Sequence, residues 1–281
     1  MRVLHQPVMV SEVINFLKPK AGGVYVDATV GGGGHSEKIK IQNPKSKIIA
    51  IDWDREAIEA AKEKLAKYTN IIYIHDNFAN LKKHVKSKVD GVLFDLGVSS
   101  YQIDTPERGF SLRLDGPLDM RMNSSHGITA AELINSLKAD QLEKIIREFG
   151  EERFAQRISK AIIRARPIFR TGELAEIVRR AVPGWRKRES VARVFQAFRI
   201  AVNQELENLK SGLKAAIDLL KIGGRIVVIS YHSLEDRIVK QTFRSERRLK
   251  ILTLKPVQPP EKELVLNPRA RSAKLRAAAR C

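Results

Sequence analysis

Residues 24–36, Val-Tyr-Val-Asp-Ala-Thr-Val-Gly-Gly-Gly-Gly-His-Ser, constrain the fold more than any other stretch of this chain. Apolar residues run straight into four glycines, and a helical pattern follows from His35 to Ile41. This reads as a buried strand, a tight turn and a helix start, an arrangement that lets backbone N–H groups approach a nucleotide-like ligand closely. The strict dinucleotide fingerprint is not met. Gly31 and Gly33 fit its first two glycines, but Ser36 fills the third slot. Asp27, at the end of the strand, stands four residues before Gly31. A carboxylate there suits a ligand carrying an ammonium group or a ribose and repels a pyrophosphate. A turn without a ligand is the alternative; four successive glycines cost backbone entropy, which favours a binding role.

Segments of β and α character alternate around that turn. Residues 47–51 are predicted as a strand ending at Asp52, and 54–67 as a helix with Ala57, Ile58, Ala61 and Leu65 on one face. A third strand is expected at 70–74, a short helical stretch at 78–87 and a fourth strand at 90–95. Strands separated by helices argue for a parallel, doubly wound sheet. Between residues 105 and 193 the strand signal vanishes, and helical patterns recur at 130–137, 140–149, 151–165 and 172–181. A long helix over 190–221, stopped at Gly223–Gly224, precedes a fifth strand at 225–230. The expected fold is α/β, a Rossmann-like sheet with an inserted all-helical domain. Residues 1–106 and 196–281 would form one discontinuous domain, and 107–195 an insertion that covers the ligand crevice and recognises substrate.

Composition narrows the partners. The chain has 281 residues and is 43% hydrophobic, enough for a sizeable core. Its 51 Lys+Arg against 32 Asp+Glu give a formal net charge of +19, which points to a polyanion, with nucleic acid first. The alternative is a basic surface that is merely solvated. Residues 153–193 hold 12 Lys/Arg and 3 Glu, and 237–281 hold 13 Lys/Arg and 3 Glu. Trp185-Arg-Lys-Arg188 sets an aromatic beside a basic triplet, suited to phosphate contact and base stacking. The one cysteine, Cys281, excludes a disulfide framework and a cysteine-based metal site. No long apolar run predicts a membrane span, and residues 1–7 lack the apolar core of a signal peptide. The cytoplasm is the expected compartment, and no metal is expected.

The ligand chemistry follows from strand ends. Asp52 lies 21 residues after Gly31, where an acidic residue accepts from ribose hydroxyls; a helix N-terminal carboxylate is the plainer reading. His35 heads the first helix, as a ligand contact, a cap or a base. Phe78 follows the third strand, either against an adenine or in the core. Asp95 ends the fourth strand and would face the same crevice. Asp27, Asp52 and Asp95 would then surround the ligand, company that a cationic nucleoside tolerates. S-adenosylmethionine is such a ligand.

Several motifs together carry a closer likeness. They are His5-Gln-Pro-Val-Met9 with Glu12, residues 27–36, Asp95-Leu-Gly-Val-Ser-Ser100 with Gln102, and Arg108-Gly-Phe110. Further along stand Asp115-Gly-Pro-Leu-Asp-Met-Arg-Met122, Gly150-Glu-Glu-Arg-Phe154, and Phe195-Gln-Ala197 with Arg199 and Asn203. Ser230-Tyr-His-Ser-Leu-Glu-Asp-Arg237 and Asn267-Pro-Arg-Ala-Arg-Ser272 complete the set. In this order, across residues 5–276, the chain resembles the MraW family of ribosomal RNA small subunit methyltransferases. The resemblance implies a class I S-adenosylmethionine-dependent methyltransferase that methylates the exocyclic N4 of a cytidine in the decoding region of 16S rRNA. Carried over by motif, cofactor contacts fall on Gly33, Gly34, His35, Asp52, Phe78, Asp95 and Gln102. Departures from the family pattern are Tyr101, Leu112, Arg113 and Tyr231, the last in place of the usual Phe; none is expected to touch a cofactor position.

Many amino-group methyltransferases carry an Asp/Asn-Pro-Pro-aromatic segment after the fourth strand. Here Asp95-Leu-Gly-Val-Ser-Ser stands instead, so the target amine must be held by other groups, such as Ser99, Ser100 or the backbone near Gly97. The N4 lone pair is delocalised into the pyrimidine, so transfer needs in-line positioning and an acceptor that localises it. Asp95 or a serine–carbonyl pair would be that acceptor, and Asp119 or His232 would receive the proton. Asp119 with Arg121 reads equally well as a structural ion pair. With Cys281 at the terminus, a covalent cysteine mechanism is not expected. A nicotinamide-dependent dehydrogenase and a non-catalytic ribosome-assembly factor are the rival readings. The sequence leaves open monomer or dimer, and free rRNA or assembled subunit as substrate.

Overall fold

The computed structural model describes residues 7–281, so His5 and Gln6 of the first family motif lie outside the described residues. In chain order come α1 (Val10–Leu17), β1 (Val24–Asp27), α2 (Gly34–Gln42), β2 (Lys47–Asp52), α3 (Arg55–Leu65) and β3 (Ile71–His75). Then follow α4 (Leu81–His84), β4 (Val89–Asp95), α5 (Ser100–Asp104), α6 (Ala130–Ser136), α7 (Ala139–Gly150), α8 (Ala155–Ala165) and α9 (Thr171–Ala181). The remainder is α10 (Lys187–Asn203), α11 (Glu205–Leu219), β5 (Leu220–Ser230), α12 (Ser233–Ser245), β6 (Leu249–Ile251), α13 (Glu261–Leu266) and β7 (Lys274–Arg280).

These strands form one sheet in the order β3-β2-β1-β4-β5-β7-β6. Strands β1 to β5 run parallel, and β7 is antiparallel to both of its neighbours. The architecture is an α/β, Rossmann-like sheet. Its strand order reverses between β1 and β4, and ligands of such sheets lie outside the carboxyl ends of the strands at that switch point. Asp27, Asp52 and Asp95 are the last residues of β1, β2 and β4.

The chain folds as two compact units, one of residues up to Gly97 with Leu206–Cys281, the other Val98–Glu205. In the first, successive strand residues alternate between two apolar clusters. Ile49, Ile51, Val92, Phe94 and Val228 feed one; Ile48, Ala50, Leu93, Val227 and Ile229 feed the other. Because side chains alternate across a strand, both faces of the sheet are covered, and the strands read as unbroken apolar runs. The second unit packs α6 to α10 on a core that includes Phe110, Ile146, Ile158, Leu174, Val194 and Phe198. Among its described residues there is no strand, only an isolated bridge between Pro117 and Arg170.

The units part at 97/98 and 205/206, whereas the sequence suggested 106/107 and 195/196. Val98 already packs on the helical core, and α10 runs unbroken through 195/196. The expected helix over 190–221 is two helices, because Gln204 between them is left-handed at φ 49°. No glycine or proline marks that break. Likewise Glu151, at φ 48°, ends α7, and α8 begins at Ala155 rather than at 151. The fifth strand starts at Leu220, with a register irregularity against β4 between the Val89 and Gly91 pairings. Among the described residues no helix is long and apolar enough to cross a membrane.

Candidate cofactor and active site

The glycine turn has the backbone its sequence demands. Gly31 and Gly33 sit at φ 50° and 79°, the left-handed region that favours glycine. The Gly31 N–H donates to Asp52 Oδ2 at 2.8 Å, and the Asp54 N–H donates to Asp52 Oδ1 at 2.9 Å. One carboxylate thus ties the turn after β1 to the end of β2. Burial pushes the Asp52 carboxyl up to about 7. Apart from the turn's own neighbouring residues, no heavy atom of the described residues lies within 4 Å of where a Cβ would stand on Gly31 or Gly32. The turn is therefore open on that side, a cradle that side chains would fill. Open backbone and a strand-end carboxylate for a ribose diol fit S-adenosylmethionine.

Below the turn lies a buried polar network. Asp27 is 1% exposed; its Oδ2 accepts from Ser36 Oγ at 2.7 Å and its Oδ1 from the Thr29 N–H at 3.4 Å. Burial raises the Asp27 carboxyl and lowers the His35 imidazole. His35 Nε2 is 2.8 Å from the Val8 carbonyl oxygen, so Nε2 carries the hydrogen. Its Nδ1 is 3.6 Å from Asp95 Oδ2. The expectation that Asp27 faces the ligand is corrected: its carboxylate is turned inward to fix the turn.

Asp95, at the end of β4, is partly buried, and its position is held from several sides. Its N–H donates to Thr29 Oγ1 at 2.6 Å, and its Oδ1 accepts from the Tyr231 hydroxyl at 2.8 Å. The Tyr231 N–H in turn donates to Glu235 Oε2 at 2.9 Å. Burial, reinforced by Asp95, holds the Tyr231 phenol well above its ordinary range, so it stays a donor. This overturns the expectation that Tyr231 touches no cofactor position. The hydroxyl that a Phe would lack is bonded to Asp95. Tyr231→Phe should lower stability by about 1.5 kcal/mol, the lower end for a hydrogen bond to a charged group. Urea unfolding measures this, and an unchanged midpoint would show that the bond contributes nothing.

The other expected residues take these places. Phe78 is half-buried and meets Phe94 edge-on, ring centroids 5.4 Å apart, so the core reading holds for one side of the ring. Ser99 and Gln102 form the capping box of α5: Ser99 Oγ accepts from the Gln102 N–H, and Gln102 Oε1 accepts from the Ser99 N–H. Asp119 takes Arg121 on both oxygens, at 2.9 and 2.7 Å, which is the ion-pair reading. His232 caps α12 beside Glu235, and Asp236 pairs with Arg276. Thus Gly33, Gly34, His35, Asp52, Phe78, Asp95 and His232 belong to the sheet unit, whereas Ser99, Gln102 and Asp119 belong to the helical unit. Sequence reasoning missed Thr29 and Tyr231 as the groups that hold Asp95. Both lie inside quoted motifs, but only the pairing of β1, β4 and β5 joins them.

Comparison with known proteins identifies the family. The model of the MraW methylase family matches residues 2–281. The chain is 50% identical to ribosomal RNA small subunit methyltransferase H of Trichodesmium erythraeum and 47% identical to that of Halothermothrix orenii, over 98% of each chain in both cases. Among solved structures, SMU.1697c of Streptococcus mutans, in complex with SAH, superposes with a TM-score of 0.51, covering 97% of each chain. At 13% identity, that likeness is one of fold. Motif order, switch-point geometry and a match over nearly every residue together establish that the chain belongs to the MraW methylase family of S-adenosylmethionine-dependent methyltransferases.

Proposed function

We propose that this chain methylates the exocyclic N4 of a cytidine in the decoding region of 16S rRNA, in the cytoplasm. Asp95 carries the reading. It is a carboxylate at the switch point, fixed by Thr29 and Tyr231, and only 13% exposed. The ribosomal substrate is supported by full-length relatives named for small-subunit rRNA and by the +19 charge. Family membership sets aside the nicotinamide-dependent reading.

When bound, S-adenosylmethionine supplies an electrophilic sulfonium methyl group. Within the sheet unit, the residues that would hold it are the backbone of Gly33, Gly34 and His35, the Asp52 carboxylate, Phe78 and Asp95. Asp52 would accept from the ribose hydroxyls. Asp95 accepts from the target amine, drawing the nitrogen lone pair out of conjugation with the ring and orienting it. His232, in the same unit, takes the proton. Asp119 acts by fixing Arg121. The helical unit supplies substrate recognition.

Mapping modified nucleosides in small-subunit rRNA from cells lacking this chain tests the reading. N4-methylation of a decoding-region cytidine should disappear. Its persistence, with loss of a different modification, would reassign the reaction.

A further inference from the structure

Helix α8 contains no acidic residue, and its exposed face is cationic. Arg157, Lys160 and Arg164 recur at helical spacing and so share one face. Ala155, Ile158, Ser159 and Ile162 are buried on the other. Arg153, exposed just before the helix, extends the row. Among the described residues, no carboxylate stands within ion-pair distance of these four side chains. By contrast, Arg147, Arg170, Arg179, Arg180, Arg186 and Arg193 of the same unit each pair with an Asp or Glu.

Helix stability alone would not select this row. Like charges three and four residues apart repel, and Arg157 stands in the first turn, where the helix dipole disfavours a cation. At its Arg153 end the row meets an indole. Trp185 is 70% exposed, and the guanidinium groups of Arg153 and Arg186 lie 5.2 and 4.2 Å from its ring centroid. An exposed aromatic beside a line of unpaired cations is what non-specific single-strand binding requires: charge for the backbone, a ring face for a base.

We propose that Arg153, Arg157, Lys160, Arg164 and Trp185 form a track for an unpaired stretch of the substrate RNA, with phosphates on the cations and a base stacked on the indole. The proposal rests on the rRNA reading and adds where on this chain the RNA runs. Unpaired RNA is the occupant because a duplex keeps its bases stacked and offers none to Trp185.

The test uses the whole protein with S-adenosylmethionine bound and two labelled probes, an oligouridylate and an RNA hairpin whose long duplex stem is closed by a compact tetraloop with its bases stacked on the stem. In the Arg157→Gln/Lys160→Gln/Arg164→Gln variant, the slope of log affinity against log salt for oligouridylate should flatten by about 2, at roughly 0.7 per lost phosphate contact. Trp185→Ala should weaken oligouridylate binding at least about fivefold, leave the slope unchanged and spare the hairpin. Cofactor affinity should stay native in both variants, and the triple variant should unfold at the native or a higher urea concentration, since like-charge repulsion is relieved. A triple variant with the native slope, or a Trp185→Ala variant that loses hairpin and oligouridylate equally, overturns the track. If the variants behave natively while the protein still methylates rRNA, the track alone fails. If the native protein binds neither probe yet methylates rRNA, the track alone fails; if it methylates no small-subunit RNA, free or assembled, the rRNA reading fails with it.

Discussion

Asp95→Asn is expected to lower the rate of methyl transfer by roughly 10²–10³, the loss typical of removing one preorganised polar partner of a transition state. The substitution is chosen for its economy. An asparagine keeps the shape and an oxygen to accept from the Tyr231 hydroxyl, and the backbone bond from the Asp95 N–H to Thr29 Oγ1 is untouched. It removes the charge and replaces one acceptor oxygen by a donor NH2, which cannot accept from the target amine. Single-turnover rates at saturating cofactor isolate the step, because any weakening of cofactor binding is then masked. A variant that transfers methyl at the native rate would remove Asp95 from the chemistry.

Asp52→Ala should weaken S-adenosylmethionine binding by about 1.5–3 kcal/mol, the range for hydrogen bonds to a charged group. The more discriminating signature is in pH. Burial raises the Asp52 carboxyl from the ordinary carboxylate range to about 7. A hydroxyl donating to Asp52 favours the ionised form, so binding must expel the proton at lower pH. Cofactor affinity should therefore climb as pH rises toward 7, by up to tenfold per unit, and level off above it. Stability of the ligand-free protein moves the other way. A carboxyl whose folded pKa lies above its unfolded value binds more protons when folded, so its contribution declines between about pH 4 and pH 7. Asp52→Asn should abolish both trends. Calorimetry across this window decides, and a flat native profile would mean that Asp52 does not meet the ligand as a carboxylate.

How far the sequence carries depends on the kind of physics involved. Strands β1, β2 and β4 were legible because both faces of the sheet are covered, which leaves unbroken apolar runs that end on an acid. The turn was legible because positive φ at Gly31 and Gly33 is a local demand. Strand β7 was not. Its buried positions include Ala277 and Ala278, small residues with little strand preference, set in a stretch that reads as a basic tail. The break at Gln204 also escaped, since a left-handed residue other than glycine leaves no compositional mark.

At the site, the acids at strand ends followed from spacing, but their roles did not. Asp27, Asp52 and Asp95 look alike in sequence. Asp27 is spent on Ser36 and Thr29, whereas Asp52 ties down the turn and Asp95 is held by Tyr231. Which of them is left to a ligand is decided by contacts 66 and 136 residues apart, such as Thr29 with Asp95 and Tyr231 with Asp95. No local pattern encodes those. The Asp119–Arg121 pair shows the converse: two residues close in sequence satisfy one another, so their proximity signals an ion pair before it signals catalysis.

The most direct measurement incubates the protein with methyl-labelled S-adenosylmethionine and small-subunit RNA, offered both free and as assembled subunits. The RNA is then digested to nucleosides, and the label is located by mass spectrometry. Label in N4-methylcytidine from one of the two substrates is the result the account predicts. Label in 5-methylcytidine or any other nucleoside, or none from either substrate, would contradict it.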